Sequence, residues 1–201
     1  MEISRTQRDI LIGTVLGDAY LQKTGEKNAR LRLEHGAKQK EYLFWKVNNL
    51  RQFFQGKPKY LERIHPITKR TYQYWRHQSQ STPVLGKLRK IFYPEGKKRI
   101  PDGIQKLLTP RSIAVWYMDD GYYYRRDKCA YLYLGNVGRG EAEKLQRAFE
   151  DKFAIHVNVL SKKKGFALYF SRIEAEKLKT LIDGYILEQF NYKLPSDPVT
   201  T

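Results

Sequence analysis

Apolar residues near the start of the chain recur at three- and four-residue spacing, which predicts an amphipathic helix. The residues that carry the pattern are Ile10, Leu11, Thr14, Val15 and Ala19. Ser4 and Thr6 both precede this run and are both suitable N-caps. Gly13 and Gly17 interrupt the apolar face four residues apart, so they lie on one side of the predicted helix.

A different period follows the first helix. Residues 29–36 alternate between apolar and charged positions, with Leu31 and Leu33 on one face, which predicts a half-buried strand. The remaining elements of this half are a helix over 38–55, strands over 59–65 and 70–79, and a short helix over 83–93.

The same order of elements then begins again. Pro110 is suited to the first turn of a helix that runs to Asp120. It is followed by strand-like residues 122–136 with a break near 126–128, a helix over 140–153, strands over 155–160 and 166–171, and a helix over 173–190. The sequence therefore predicts an α+β protein with two αββαββα halves. Their bounds are 1–93 and 110–201, with a Lys-, Pro- and Gly-rich joint at 94–109.

Charge narrows the class of partner. The 201 residues contain 38 Lys and Arg against 21 Asp and Glu, a formal net charge of +17, which favours a nucleic acid. No apolar run reaches the roughly 20 residues of a membrane span, and the N-terminus is charged rather than signal-like. We therefore expect a protein that is neither secreted nor membrane-bound, located in the cytoplasm or in an organelle matrix. A single cysteine argues against an internal disulfide and a structural zinc site.

Each half opens with an apolar helix that ends in a carboxylate, Asp18 in the first and Asp120 in the second. A carboxylate is poorly placed at a helix C-terminus, because the helix dipole there favours cations. A bound divalent cation would explain both positions, since hard cations bind carboxylate and carbonyl oxygens. Small residues at Gly13 and Gly17 would let the two helices pack closely, and two adjacent carboxylates could then hold metal ions for phosphodiester hydrolysis.

These segments resemble the two signature helices of the LAGLIDADG homing endonucleases, in the monomeric branch with both motifs in one chain. The resemblance rests on Leu-Gly-Asp-Ala-Tyr at 16–20 and Trp-Tyr-Met-Asp-Asp-Gly at 116–121. It continues in Arg-Ile-Pro at 99–101, Leu-Thr-Pro at 108–110 and Tyr-Lys-Leu-Pro at 192–195. The match is closest to the intron-encoded mitochondrial type. Ala19 departs from the final glycine of the first motif, and Asp119 stands at the position of Gly17.

The resemblance implies two αββαββα halves whose antiparallel sheets form a saddle over DNA. It implies a monomer that uses magnesium to cleave both strands of a long double-stranded DNA target. Asp18 and Asp120 would be the metal-binding acids, with Asp120 rather than Asp119 in register with Asp18. Lys98 and Lys193 match basic positions near the scissile phosphates. Glu34 matches a position near the waters of the metal site, and Asn136 is taken as its counterpart in the second half.

The strands are the expected DNA-reading surface, because a β-ribbon fits the major groove. In the first half the candidate DNA-binding residues are Arg30, Arg32, Lys57, Lys59, Arg63, Arg70, Tyr72, Tyr74 and Arg76. In the second half they are Tyr122, Tyr124, Arg126, His156, Asn158 and Lys162. Because the two sets differ at almost every position, the expected target is not palindromic.

Three other readings compete with the endonuclease. A non-catalytic nucleic-acid-binding protein of the same fold, either a maturase that binds intron RNA or a DNA-binding regulator, would share the composition. The retained carboxylates favour the enzyme, because extra negative charge does not help a protein bind phosphates. Tyr-Met-Asp-Asp at 117–120 also occurs in reverse transcriptases, but there it lies on a strand turn, whereas a helix is predicted here. Nucleophilic catalysis lacks support, because the four histidines fall mostly in strand runs, where a surface or DNA-contacting role is expected.

Overall fold

Two four-stranded antiparallel sheets form the framework of the protein in the computed structural model, which describes residues 2–196. The N-terminal half contains helices α1 (Arg5–Leu16), α2 (Lys40–Asn49) and α3 (Pro83–Phe92). Its strands are β1 (Tyr20–Lys23), β2 (Ala29–Gly36), β3 (Lys59–Ile64) and β4 (Thr71–Gln78), in the order β1-β2-β4-β3.

The C-terminal half repeats this arrangement. Its helices are α4 (Ile104–Leu107), α5 (Pro110–Asp120), α6 (Arg139–Phe153) and α7 (Arg172–Ile182). Its strands are β5 (Gly121–Tyr124), β6 (Cys129–Gly135), β7 (Asn158–Lys162) and β8 (Gly165–Phe170), in the order β5-β6-β8-β7. The predicted α+β fold with two αββαββα halves is confirmed. In the described part of the chain, no helix has both the length and the apolarity needed to cross a bilayer.

By its internal contacts the chain forms two compact units. The first unit comprises the residues up to Leu11 and Asp18–Ile91, and the second comprises Ile12–Gly17 and the residues from Phe92 onward. The second unit therefore includes the end of α1 and the segment that the sequence predicts as a joint. The domain bounds 1–93, 94–109 and 110–201 stay a prediction.

Both signature helices begin at caps that the sequence supplies. At α1, Ser4 Oγ accepts a hydrogen bond from the Gln7 amide at 3.2 Å, and Gln7 Oε1 accepts one from the Ser4 amide at 3.0 Å. At α5, Thr109 Oγ1 accepts from the Ser112 amide at 3.1 Å, and Pro110 occupies the first turn. Each cap satisfies N–H groups that lack a partner within the helix.

Two predicted helices end earlier than their apolar patterns suggest. Helix α2 stops at Asn49 and continues as a 3₁₀ turn over Arg51–Phe53. Helix α7 stops at Ile182, and 3₁₀ turns follow at Asp183–Tyr185 and Glu188–Lys193. A 3₁₀ turn keeps nearly the same spacing of buried side chains as an α-helix, so the apolar pattern does not separate the two. Strand β1 was not predicted, because four residues with one buried side chain give no alternation.

Within the second unit, the end of α1 packs directly against α5. A Cβ atom added to Gly13 would lie 2.3 Å from the backbone oxygen of Ser112, and one added to Gly17 would lie 2.2 Å from Asp119 Oδ2. Real Cβ atoms do not approach other atoms so closely, so only glycine fits at these positions. The expectation that the two glycines permit a close helix contact is confirmed.

We therefore expect Gly13→Ala to lower the free energy of unfolding by about 1–3 kcal/mol, because the added methyl group meets backbone that cannot rotate away. Chemical denaturation followed by circular dichroism measures this change. The matched control is Gly140→Ala in α6, where an added Cβ meets open space. This control should leave stability unchanged or raise it by up to about 1 kcal/mol. Equal effects of the two substitutions would contradict the close packing.

Candidate active site and nucleic-acid interface

Lys98 and Lys193 bind the C-terminal ends of the two signature helices, each within the second unit. Lys98 Nζ donates to the carbonyl oxygens of Leu16 at 2.8 Å and Gly17 at 2.7 Å. Lys193 Nζ donates to those of Met118 at 2.7 Å and Asp119 at 3.3 Å. An ammonium group at a helix C-terminus stabilises the negative end of the helix dipole. Each lysine therefore places positive charge on the two carbonyl groups that directly precede a motif aspartate in sequence, Asp18 or Asp120.

These contacts fix the register between the two motifs. Lys98 binds carbonyls 16 and 17, whereas Lys193 binds carbonyls 118 and 119. The residue that follows the lysine-bound pair is Asp18 in one motif and Asp120 in the other. Asp119 is instead equivalent to Gly17, against which it packs. By these lysine contacts Asp120, rather than Asp119, is the positional counterpart of Asp18. The metal-binding role of both aspartates stays a prediction.

Lys193 is held more firmly than an exposed lysine would be. Its side chain is buried, and its Nζ lies 5.5 Å from the centre of the Phe190 ring. The hydroxyl of the buried Tyr117 donates to the Lys193 carbonyl at 2.8 Å. Burial raises the pKa of Tyr117, so this hydroxyl stays protonated and remains a donor. Contacts to the backbone and to the side chain of Lys193 therefore both hold this residue at the end of α5.

An open cavity of about 700 Å³ in the second unit brings three of the predicted site residues together. Its lining includes Asp120, Lys98 and Asn136, together with Gly17. The indole Nε1 of Trp116 donates to Asp120 Oδ2 at 3.2 Å, one helical turn away. This hydrogen bond orients the carboxylate, because the Trp116 ring is itself fully buried in the helical core.

Asn136 does not occupy the strand position equivalent to Glu34. Tyr20 pairs with Arg32 in the first sheet, and Tyr122 pairs with Tyr131 in the second, so Tyr131 is the counterpart of Arg32. Two residues further along each strand, the counterpart of Glu34 is therefore Tyr133. Asn136 lies beyond the end of β6, after an irregularity in the pairing with β8. Asn136 follows Asp120 by the same number of residues as Glu34 follows Asp18, but the β5–β6 hairpin is shorter than the β1–β2 hairpin, so an equal count along the chain overshoots the equivalent strand position.

In the first unit, Asp18 lies near a buried polar pair. Its Oδ2 is 4.0 Å from Nδ1 of His35, and the opposite ring nitrogen, Nε2, lies 3.2 Å from Nζ of Lys46. Lys46 is fully buried and its Nζ is 4.3 Å from the centre of the Tyr42 ring. Because an ammonium group can only donate, a protonated Lys46 places the ring proton of His35 on Nδ1, the nitrogen that faces Asp18.

The sequence reading missed this pair. The expectation that strand histidines are surface residues is wrong for His35 and His77, both of which are buried on the helix-facing side of their strands. One signal was available: Lys46 lies at helical spacing with the buried Tyr42 and Leu50, so a lysine occupies the apolar stripe of α2. A lysine at such a position is buried only when polar groups receive it.

The outer face of the first sheet is strongly basic. Antiparallel pairing places paired residues on the same face, so the register assigns this face directly. The predicted DNA-binding residues that share it are Arg30, Arg32, Lys59, Arg63, Tyr72, Tyr74 and Arg76. Lys57 precedes β3, and Arg70 lies in the turn before β4.

Glu34 lies among these basic residues. Its Oε1 accepts hydrogen bonds from Nε of Arg32 at 2.6 Å and from Nε of Arg76 at 2.8 Å. The two guanidinium groups are thereby fixed in position across β2 and β4. In this structure Glu34 therefore organises the basic face.

The outer face of the second sheet is aromatic instead. It carries a tyrosine cluster, by which we mean Tyr122, Tyr124, Tyr131, Tyr133 and Tyr169. Asn158 and Lys162 share this face, with Lys162 at the end of β7 rather than beyond the strand predicted over 155–160. Their DNA-binding role stays a prediction.

Two other predicted contacts lie off the outer face of the second sheet. Arg126 is in the β5–β6 turn, where its Nε donates to Asp127 Oδ1 at 2.8 Å. His156 precedes β7, and its Nδ1 is 2.9 Å from Glu150 Oε1 on α6. Arg126 lies where the sequence predicts a break in the strand, whereas the predicted strand over 155–160 is wrong for His156, which precedes β7.

In the described residues, the geometry supports neither the reverse transcriptase interpretation nor nucleophilic catalysis by the cysteine. The segment Tyr-Met-Asp-Asp at 117–120 is the last turn of α5, whereas the reverse transcriptase motif lies on a strand turn. Cys129 is buried in β6, and burial raises the pKa of its thiol, so it is not an activated nucleophile.

Comparison with known proteins identifies what this chain is similar to. Residues 8–178 match the sequence profile of the LAGLIDADG DNA endonuclease family. Over 198 residues the chain is 29% identical to the probable intron-encoded endonuclease 1 of Wickerhamomyces canadensis, a match that covers 96% of this chain and 85% of that protein. It is also 29% identical over 208 residues to protein RecA of Mycolicibacterium flavescens, covering 96% of this chain and 47% of that relative. The chain therefore spans about half the length of this RecA protein.

A solved structure shows the same similarity in three dimensions. The homing endonuclease I-WcaI, bound to its DNA recognition sequence, matches this chain with a TM-score of 0.91 at 26% sequence identity. The match covers 98% of this chain and 89% of that structure. The resemblance noted from the two motifs therefore extends over nearly all of both chains.

Proposed function

Since this chain belongs to the LAGLIDADG DNA endonuclease family, we propose that it is a monomeric homing endonuclease that hydrolyses both strands of a long, non-palindromic DNA target. The observation that carries the proposal is the repeated site: in both motifs an aspartate stands at, or two residues beyond, the last residue of a helix, with a lysine on the two preceding carbonyls. A protein that only binds phosphates has no use for two such carboxylates, since they repel the DNA backbone.

The two outer sheet faces support duplex DNA as the substrate. One face presents arginine and lysine side chains suited to phosphates and to guanine edges, and the other presents tyrosines. Because these faces are chemically different, the two halves of the target must differ in sequence. A single chain that carries both halves needs no partner subunit to read such a site.

The donor atoms at the motifs fit a hard divalent cation such as magnesium. Asp18 and Asp120 offer carboxylate oxygens, the ligands that magnesium prefers. The carbonyl oxygens at the helix ends are already bound by Lys98 and Lys193, so the carboxylates are the protein ligands we propose. When bound, such a cation polarises the phosphoryl group and stabilises the charge that develops on the attacking and leaving oxygens.

The chain's own residues position and complement this chemistry. Trp116 orients the Asp120 carboxylate, and the His35 ring faces Asp18. Lys98 lines the same cavity as Asp120, where its ammonium group can stabilise negative charge on a reacting phosphate. Lys193 takes the equivalent position at α5. Asn136, on the wall of the Asp120 cavity, offers an amide that can bind a phosphate oxygen.

The proposed function is tested by incubating the protein with a plasmid library of randomised target sequences in magnesium. We expect a subset of plasmids to be linearised at one sequence and no cleavage in EDTA. Specific binding without any nicking or linearisation would instead support the alternative, a DNA-binding regulator or a splicing maturase.

Ionic strength provides a further prediction for the basic face. We expect affinity for duplex DNA to fall by on the order of 10³-fold or more between low and moderately high salt, because each neutralised phosphate releases counterions. Fluorescence anisotropy at several salt concentrations gives the slope of log K against log salt. Arg63→Ala on β3 should reduce this slope by about 1 if it removes one phosphate contact.

The matched control for that measurement is Arg147→Ala, since Arg147 is an exposed residue of α6 and lies off both outer faces. Its slope should equal that of the unmodified protein. A slope near zero for the unmodified protein, or equal losses in both variants, would place the DNA contact away from the first sheet.

A further inference from the structure

The tyrosine cluster forms one continuous aromatic layer on the outer face of the second sheet. Tyr122 and Tyr124 lie 4.5 Å apart between ring centres, and Tyr124 lies 5.2 Å from Tyr131. Tyr131 in turn lies 6.0 Å from Tyr133 and 5.3 Å from Tyr169. The layer thus extends across β5, β6 and β8, and its rings hold one another in place.

The outer face of the second sheet differs in chemistry from that of the first. In strand register Tyr131 stands where the first sheet has Arg32, and Tyr133 stands where it has Glu34. Lys162 lies over a ring of the cluster, with its Nζ 4.2 Å from the centre of the Tyr131 ring. At the β5 end of the cluster, Arg125 and Arg126 of the turn line a pocket together with Tyr122 and Tyr124. At the described strand positions of this face, a chain with a net charge of +17 therefore presents tyrosine rings and hydroxyls and no guanidinium group.

The ring geometry favours contact through edges and hydroxyls over base stacking. The Tyr122–Tyr124 and Tyr124–Tyr131 pairs are edge-to-face, with interplanar angles of 65° and 73°. One face of Tyr131 is covered by the Lys162 ammonium group. Stacking on an unpaired base requires an open ring face, as in proteins that bind single strands. Tyr122 and Tyr124 are nevertheless 47% and 38% exposed, so part of each side chain remains accessible to a ligand.

The Tyr133 hydroxyl of the cluster is held in its neutral form. Tyr124 and Tyr133 share a hydrogen bond of 3.3 Å between their hydroxyl oxygens. Burial, together with this bond, raises the pKa of Tyr133 to about 12. The Tyr133 side chain therefore carries no phenolate charge at neutral pH that would repel a DNA backbone.

We propose that the tyrosine cluster reads thymine methyl groups in the major groove of one half of the target. This inference rests on the proposed endonuclease function and adds the chemistry of one half-site. Thymine carries the C5-methyl group, the apolar feature of the major-groove edges, and apolar side chains contact it. Rigid tyrosine rings present a large apolar surface with little loss of conformational entropy. The first sheet instead reads its half-site with charged groups.

The test replaces thymine by deoxyuridine, which removes the methyl group and keeps the base pair. The target is first obtained by cleavage selection from a randomised duplex library. Binding of the selected duplex is then measured by anisotropy in EDTA, with uracil placed in one half-site at a time. In one half only, each replaced thymine should weaken binding about 3- to 5-fold, the value expected for one buried methyl group.

Variants connect that penalty to the cluster. In Tyr124→Ala the uracil penalty should disappear at one or more positions, and in Tyr124→Phe it should persist, because the ring edge is retained. The matched control is Arg32→Ala on the outer face of the first sheet, which should weaken binding and leave the uracil penalty intact.

Several results would overturn the inference and distinguish its failure from that of the function. Methyl reading is refuted if the cleaved target binds equally well with uracil in either half. It is also refuted if the half whose binding depends on Tyr124 contains no thymine. In both cases the proposed endonuclease function is unaffected. Tighter binding of the single-stranded oligonucleotide than of the duplex would reassign the cluster to base stacking. Failure to select any cleaved duplex would refute both proposals.

Discussion

Asp120→Asn is expected to abolish cleavage of both DNA strands while leaving DNA binding nearly unchanged. The substitution removes the negative charge that would hold a divalent cation, but it keeps the size of the side chain and an oxygen that can accept from Trp116. Loss of several kcal/mol of transition-state stabilisation corresponds to a decrease in rate on the order of 10³-fold or more. Single-turnover cleavage in magnesium measures the rate, and anisotropy in EDTA measures binding.

Asp119→Asn is the matched control, because it changes the neighbouring carboxylate in the same helical turn. Asp119 packs against Gly17, and its carbonyl, which the substitution keeps, accepts from Lys193. We therefore expect a much smaller decrease in cleavage. A larger effect at Asp119 than at Asp120 would show that the two motifs are aligned one residue out of register, and equal cutting by Asp120→Asn and the unmodified protein would exclude a metal role.

Lys98→Ala and Lys193→Ala are expected to cause defects in opposite DNA strands. Each lysine serves one of the two motifs, and each ammonium group would stabilise the charge that develops at one scissile phosphate. Loss of one lysine should therefore slow one strand by on the order of 10²-fold, the typical cost of one preorganised donor. Nicked intermediates should accumulate, with the intact strand differing between the two variants.

An end-labelled duplex resolves the two strands on a denaturing gel, with Lys106→Ala as a control at an exposed lysine of α4. The strand-resolved readout separates catalysis from folding, because a lysine that only stabilises its helix end would slow both strands equally when removed. Equal slowing, or wild-type cutting of both strands by both variants, would assign the lysines a purely structural role.

Strong local patterns predicted the framework well. The bounds of β2 and α5 coincide with the predicted 29–36 and 110–120. The strand is set by strict alternation over eight residues, and the helix by Thr109 and Pro110 at its start and Gly121 after its end. Helix ends without such signals were missed, because the 3₁₀ turns after α2 and α7 keep the apolar spacing.

The site was only partly predictable for a physical reason. Asp18 and Asp120 could be predicted from sequence because each stands at or just beyond the C-terminal end of an apolar helix, where a carboxylate is out of place. The hydrogen bonds from Lys98 and Lys193 to the helix-end carbonyls, however, join segments that are distant in sequence, so they form only in the folded chain. The His35–Lys46 contact and the continuity of the tyrosine cluster also depend on strand register across turns, which composition does not determine.

The end of α1 has a consequence for protein engineering. Ile12–Gly17 are encoded with the first half of the chain but belong to the compact unit formed by the second. A chimera joined within 94–109 therefore transplants part of the second unit's core together with the first unit. The donor half must carry glycine at both positions 13 and 17 to fit against α5, whatever DNA sequence its own sheet reads. Halves from different relatives are interchangeable only when these helix residues are exchanged as a matched set with α5.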